Sequence, residues 1–134
     1  MTTRSEVEKR IAAGQGVPNL ASGLWPVFNR KSFEAVTGPK ADFWLVKTVG
    51  LLIATTGAAL IIANRGRSVG TEMKMVGAGT AASLAGVDWY YGGKGRISRI
   101  YLLDALVQGG IAALWIAAGA GKIGSPEPPR VRHQ

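Results

Sequence analysis

The stretch Phe43–Asn64, FWLVKTVGLLIATTGAALIIAN, decides the fold of this 134-residue chain. A helix rises about 1.5 Å per residue, so these 22 residues form a rod of roughly 33 Å, enough to cross the hydrocarbon core of a bilayer. Lys47, near one end, is the single charged residue in the stretch. The stretch therefore predicts a membrane-spanning helix that inserts unaided.

Three further segments have the length of a membrane span. Residues 100–121 are apolar except for Asp104 and Gln108. Residues 73–91 have a middle of small residues, which weakens their hydropathy but lets helix backbones approach closely. Residues 11–29 contain prolines and polar amides, so they either span with a kink or lie along the interface, and spanning is the prediction. The predicted fold class is an all-α membrane protein with four transmembrane helices, and the alternative is a soluble helical bundle.

The charge pattern favours a membrane surface over nucleic acid. The net charge is +8, but lysines and arginines cluster between the apolar runs instead of forming a stripe along one face. Such clusters are typical of loops that contact anionic lipid headgroups. The lipid bilayer is therefore the predicted partner, and nucleic acid is not.

The composition also argues against several kinds of chemistry. The chain has no cysteine, which excludes disulfides, thiol redox chemistry and thiolate metal sites. Its single histidine, His133, lies in the tail, and no catalytic triad, HExxH motif or acidic metal box is present. We expect no catalytic residue, no metal and no cofactor, and hence a protein that is not an enzyme.

These patterns predict a short N-terminal tail (residues 1–9), a membrane bundle (10–122) and an exposed proline-rich tail (123–134). With four spans, the two termini and the second loop share a side. That side carries nine lysines and arginines when Lys74 is counted as a flanking residue, against six in the first and third loops. The positive-inside rule then places both termini in the cytoplasm of a multi-pass protein of the inner membrane.

Three ionisable residues, Lys47, Asp88 and Asp104, are predicted at similar depth on the side of the first and third loops, roughly 5 to 6 Å inside the membrane. A charge there is costly unless it is paired, faces protein or reaches water. The pattern predicts an ion pair of Lys47 with Asp88 or Asp104. Snorkelling to the headgroups, a proton or substrate site, and a contact with a partner subunit remain open.

The fourth span has two distinct faces at about 100° per residue. One face carries the polar residues and a tryptophan: Tyr101, Asp104, Gln108 and Trp115. The opposite face is a ridge of small residues: Gly109, Ala113, Ala117 and Gly121. Both faces avoid lipid, so the helix is predicted to be packed on two sides, in the bundle or against a second copy or another membrane protein. Trp115 either floors a cavity beside Asp104 and Gln108 or fills the core.

Two segments carry a resemblance to known proteins. SFEAVTGPKADFWLVKTVG (residues 32–50) and DWYYGGKGRISRIYLLDA (residues 88–105) resemble a family of small uncharacterised bacterial membrane proteins with four helices. The general plan is loosely similar to that of DoxX-like proteins. The resemblance implies a four-helix bundle in a bacterial inner membrane without assigned catalytic residues.

Two functions follow from the patterns. The first is a non-enzymatic structural or binding component of a membrane assembly, in which the fourth span packs on both faces. The second is a small transporter or proton-coupled carrier that uses the polar cluster Lys47, Asp88 and Asp104. A quinone-interacting role is a weaker third hypothesis.

Overall fold

The computed structural model describes residues 2–129, and over that range it contains helices and no strand. The helices are α1 (Arg4–Phe28), α2 (Arg30–Thr37), α3 (Phe43–Asn64), α4 (Thr71–Gly93) and α5 (Ile100–Gly119). The predicted all-α class is confirmed. The structure adds α2, a short helix inside what the sequence analysis treats as the first loop.

Local capping signals set the boundaries of the first two helices. The Thr3 hydroxyl accepts from the Glu6 backbone N–H, and the Glu6 carboxylate accepts from the Thr3 N–H, which forms a capping box. The Asn29 side chain accepts from the backbone N–H of Ser32 and starts α2. Gly38, with φ of 92°, ends α2 in a conformation that glycine adopts without strain.

Two of the four predicted spans, α3 and α5, are long and apolar enough to cross a membrane. The bounds of α3 coincide with the predicted stretch, and α5 ends two residues before the predicted end. Helices α1 and α4 are long enough, at 25 and 23 residues, but their small and polar residues lower their hydropathy. Their own composition therefore does not identify them as spans.

Glycines bring α1 and α3 into backbone contact. A Cβ on Gly23 would lie 2.3 Å from the carbonyl oxygen of Gly50, and a Cβ on Gly16 would lie 2.7 Å from that of Gly57. In each helix the two glycines are seven residues apart, and the crossed order of the pairs makes the helices antiparallel. A helix of lower hydropathy is thereby held against one of the two most apolar helices in the described chain.

The remaining helices complete an up-and-down arrangement. Helices α4 and α5 also pack together, with Gly92 of α4 against Leu102 of α5. Near the other end of the bundle, the Lys74 ammonium of α4 lies 2.9 Å from the Glu8 carboxylate of α1. The apolar core lies at this end: Ile11, Ala12, Leu60, Val69, Trp115 and Ala118.

The first and last described segments of the chain meet at that same end of the bundle. The predicted N-terminal tail is mostly helical, since α1 begins at Arg4. The described part of the predicted C-terminal tail packs on it, because the backbone N–H of Arg4 donates to the Ser125 carbonyl over 2.8 Å. The Glu127 carboxylate accepts from the Ser5 N–H over 2.8 Å. His133 and the rest of the tail lie outside the described residues.

Candidate interhelical binding site

A cavity of about 510 Å³ opens between the helices at the end opposite the chain termini. All five helices contribute to its wall. The polar lining residues include Asn19 and Ser22 of α1, Thr37 of α2, Lys40 of the following loop, Asp88 of α4, and Tyr101, Asp104 and Gln108 of α5. Helix α3 supplies an apolar stripe with helical spacing: Val46, Val49, Gly50 and Ile53. The cavity therefore has one apolar wall and one polar, acidic wall.

The acidic wall consists of two aspartates on neighbouring helices. Asp88, near the end of α4, and Asp104, near the start of α5, both line the cavity and lie close enough for the charge of one carboxyl group to affect the other. The two meet because α4 and α5 are antiparallel and joined by a short connection. Four of the residues that the sequence analysis singles out thus share this cavity: Asp88, Tyr101, Asp104 and Gln108.

Lys47 does not join them. Its side chain is exposed, with Nζ 5.8 Å from the centre of the Phe43 ring. Among residues 2–129, neither Asp88 nor Asp104 forms an ion pair, so the predicted pairing with Lys47 is not observed. The reason is geometric, because the residues of α3 that line the cavity include Leu45, Val46 and Val49, while Lys47 lies outside this set on the exposed side of the helix.

Three buried polar atoms in the cavity wall have no hydrogen-bond partner in the described part of the chain: Asn19 Nδ2, Asp88 Oδ2 and Gln108 Oε1. Their side chains are nearly inaccessible, since Asn19 is 2% exposed and Asp88 and Gln108 are each 6% exposed. The second amide atom of Gln108, Nε2, donates to Asp104 Oδ1 over a long 3.4 Å. Leaving a buried polar atom unpaired costs about 1–3 kcal/mol, so one donor and two acceptors remain for a molecule in the cavity.

Lys40 is a cavity residue that the sequence analysis counts only as a loop charge. Its ammonium donates to the Thr37 carbonyl over 2.8 Å and lies 5.2 Å from the centre of the Tyr101 ring. Burial lowers the pKa of the Lys40 ammonium, and the Glu34 carboxylate acts in the opposite direction. Lys40 lies in a loop, where helical periodicity does not apply, so its sequence position carries no signal that could place it at a cavity.

Aromatic contacts hold α2 over the cavity. The Trp25 and Phe33 rings meet edge to face at 5.4 Å, and the Phe33 and Phe43 rings at 6.3 Å. The Trp25 indole N–H also donates to the Ser32 hydroxyl over 2.8 Å. Trp25, Phe33 and Lys40 all line the cavity, so α2 and the residues on either side of it form the cavity wall at the end opposite the apolar core.

Trp115 fills the core and is not among the residues that line the cavity. Its indole N–H donates to Gln15 Oε1 over 2.8 Å, and Gln15 Nε2 donates to the Gly77 carbonyl over 2.8 Å. Gln15 is fully buried and links α1 to both α4 and α5. The sequence analysis counts Gln15 only as a residue that weakens the first span, because its partners are far away in the chain.

The small-residue ridge of α5 faces away from the other helices. Ala113 is exposed, and a Cβ placed on Gly109 would meet no atom within 4 Å. Ala117 is half-buried, and Gly121 lies beyond the end of α5 with φ of 71°. Within the described chain, α5 is therefore packed on its polar face and not on its ridge, and the close glycine contacts occur between α1 and α3.

Comparison with protein-family models, curated proteins and solved structures finds no match to this chain. The resemblance to small bacterial four-helix proteins and to the DoxX-like plan stays a prediction. Function has to be inferred from the geometry of the cavity.

Proposed function

We propose that this protein is a small membrane carrier that moves a small molecule through its interhelical cavity in exchange for protons. The observation that carries the proposal is the pair Asp88 and Asp104 in a cavity whose buried polar atoms are incompletely hydrogen-bonded. Ionisable residues between membrane helices are expensive to maintain and typically mark ion or substrate pathways.

The outer surface supports a membrane location. In the most apolar 18-residue segment of each helix, only 22% is buried in α3 and 17% in α5, whereas the core helix of a soluble protein is mostly buried. Large apolar side chains therefore point outward, including Leu52 and Leu106, which are 64% and 68% exposed. Lipid is the environment that suits an exposed apolar surface of this extent.

A four-span arrangement is part of the proposal. Helices α1 and α4 match α3 in length and pack alongside the two apolar helices, so all four long helices would cross together. Both termini then lie on one side, which the positive-inside rule assigns to the cytoplasm of a bacterial inner membrane.

Proton exchange follows from the carboxyl pair. Two carboxyl groups that lie close together in a partly buried site repel each other when both are ionised, so a proton between them relieves the repulsion. A bound cation relieves the same repulsion. Because the site holds either a proton or the cation, the movement of one across the membrane is coupled to the movement of the other. The other titratable groups that face this site are Lys40 and Tyr101, while the described lining residues of α1 and α3 include none.

Acidified, everted membrane vesicles test the carrier function with a fluorescent pH dye. We expect a panel of small amines, carboxylates and sugars to contain compounds that release protons from vesicles holding the wild-type protein. Asp104→Asn should reduce that release by about tenfold or more, because the variant cannot take up and release a proton at this position. Asp42→Asn is the matched control, since Asp42 is exposed and outside the cavity. Release that is unchanged in Asp104→Asn, or that no compound triggers, would contradict the carrier function.

The outward ridge of α5 favours a second candidate, a structural or binding component of a membrane assembly. Because the natural chain lacks cysteine, single cysteines report on contacts directly. If the ridge is an interface, Ala113→Cys should cross-link in native membranes. Leu114→Cys, an exposed position roughly 100° around the helix, should not. Equal cross-linking at both positions would argue for random collision.

A further inference from the structure

We infer that the cavity binds an amphipathic primary amine, whose ammonium group lies between Asp88, Asp104 and Gln108. The inference rests on the proposed carrier function and specifies its substrate class.

The charges of the cavity favour a cation. Two carboxyl groups line the polar wall, and neither forms an ion pair with any residue in the described range 2–129. Lys40, the cation nearest the cavity, is held at its rim by the Thr37 carbonyl and the Tyr101 ring. A ligand carrying negative charge would meet two carboxyl groups away from water, which is strongly unfavourable.

The hydrogen-bonding atoms favour an ammonium with N–H groups. Within residues 2–129, Asp88 Oδ2 and Gln108 Oε1 are buried acceptors without a donor. In the same range, the one hydrogen bond to the Asp104 side chain is the long bond from the Gln108 amide. Asp104 and Gln108 lie one helical turn apart on α5, Asp88 of α4 is close to Asp104, and all three residues line the same cavity. A primary ammonium has three N–H donors for these three residues, whereas a quaternary ammonium has none.

The rest of the cavity favours an apolar body. The α3 stripe that includes Val46, Val49 and Ile53 forms one wall, and Leu84 and Val87 of α4 continue it. A volume of about 510 Å³ is within the range of sites for organic molecules and far exceeds that of a dehydrated metal ion. The unpaired Asn19 Nδ2 adds a donor for a hydroxyl or carbonyl oxygen on the ligand.

Calorimetry on the full chain in mild detergent tests the inference with three probes that share one phenethyl body and differ in the head group. These are phenethylamine, the neutral phenethyl alcohol and the quaternary phenethyltrimethylammonium. We expect phenethylamine to bind about 10- to 100-fold more tightly than either of the others. The alcohol carries no charge and the quaternary ammonium has no N–H group, so neither can form charge-assisted hydrogen bonds to the buried acceptors. Equal binding of the amine and the alcohol overturns the inference.

Aspartate variants locate the site. Asp88→Asn and Asp104→Asn should each weaken phenethylamine binding by about 10-fold or more, and Asp42→Asn should leave it unchanged. An equal loss in all three variants overturns the assigned position. Because a cavity variant can fail to fold, Ser22→Cys provides a second measurement with both aspartates intact. Phenethylamine, and not phenethyl alcohol, should slow the reaction of this cysteine with a methanethiosulfonate reagent, because Ser22 lines the cavity. No protection by the amine overturns the inference.

The vesicle assay separates this inference from the carrier function. If only carboxylates or sugars trigger release of protons that depends on Asp104, the carrier function stands and the amine assignment fails. If phenethylamine binds through the two aspartates but no compound releases protons, the ligand class stands and the carrier function fails.

Discussion

Individual buried amides in this bundle have two different roles. Gln15 uses both amide atoms, accepting from the Trp115 indole and donating to the Gly77 carbonyl. Gln108 leaves Oε1 without a partner among the described residues and faces the cavity. Gln15 therefore joins three helices through hydrogen bonds from both amide atoms. Gln108 keeps one free acceptor toward the cavity in the described chain, as expected of a residue that binds a ligand.

The contrast predicts opposite effects on stability. Gln15→Leu should lower the free energy of unfolding by about 1–3 kcal/mol, because the buried Trp115 N–H loses its acceptor. Gln108→Leu should change stability little, because it removes one long hydrogen bond to Asp104 together with a buried oxygen that has no partner among the described residues, while it weakens amine binding. Unfolding in detergent, followed by circular dichroism, measures both. A Gln15→Leu protein as stable as the wild type would show that the link between α1, α4 and α5 contributes little.

At the scale of single helices, α1 depends on its partner α3. Its prolines and polar residues make it a poor membrane helix, yet it runs unbroken from Arg4 to Phe28. The contacts of Gly16 with Gly57 and of Gly23 with Gly50 bring the two backbones together, so that packing compensates for low hydropathy.

This contact predicts a sharp difference between two glycines of the same helix. Gly23→Ala should destabilise the bundle by about 1–3 kcal/mol or more, because its Cβ would lie 2.3 Å from the Gly50 oxygen and 2.6 Å from the Ala54 nitrogen, both backbone atoms. Gly14→Ala, with no atom within 4 Å of its Cβ, should be neutral or stabilising by up to about 1 kcal/mol. Equal midpoints in a denaturant titration of the two variants would refute close packing at Gly23.

For the whole molecule, the central question is how many helices cross the membrane. The antiparallel packing places the two chain ends and the α3–α4 connection at one end of the bundle, and α2 with the α4–α5 connection at the other. Hydropathy supports two crossings on its own, and packing extends the proposal to four.

Single cysteines in the otherwise cysteine-free chain test the crossings of α1, α3 and α4 with a membrane-impermeant maleimide on intact cells. We expect Lys31→Cys and Arg96→Cys to be labelled from outside, and Thr2→Cys and Arg65→Cys to be labelled only after the membrane is opened. Sites that follow one another along the chain lie on either side of one long helix: first α1, then α3, then α4. If Thr2→Cys and Lys31→Cys react from the same side, α1 does not cross, and the four-span arrangement is wrong.

By itself, the sequence determined the helical class, the position of α3 and α5, and the polar face of α5. These features depend on residues close together in the chain, because hydropathy and helical periodicity are local properties. It also indicated Asp88 and Asp104 as costly residues inside apolar segments. Only the tertiary structure decided that these aspartates face each other while Lys47 points outward. The same holds for the cavity, for the cover formed by α2 and for the outward direction of the α5 ridge. Those outcomes depend on how helices rotate and pack against one another, and the spacing of residues within one helix does not specify the rotation of its neighbours.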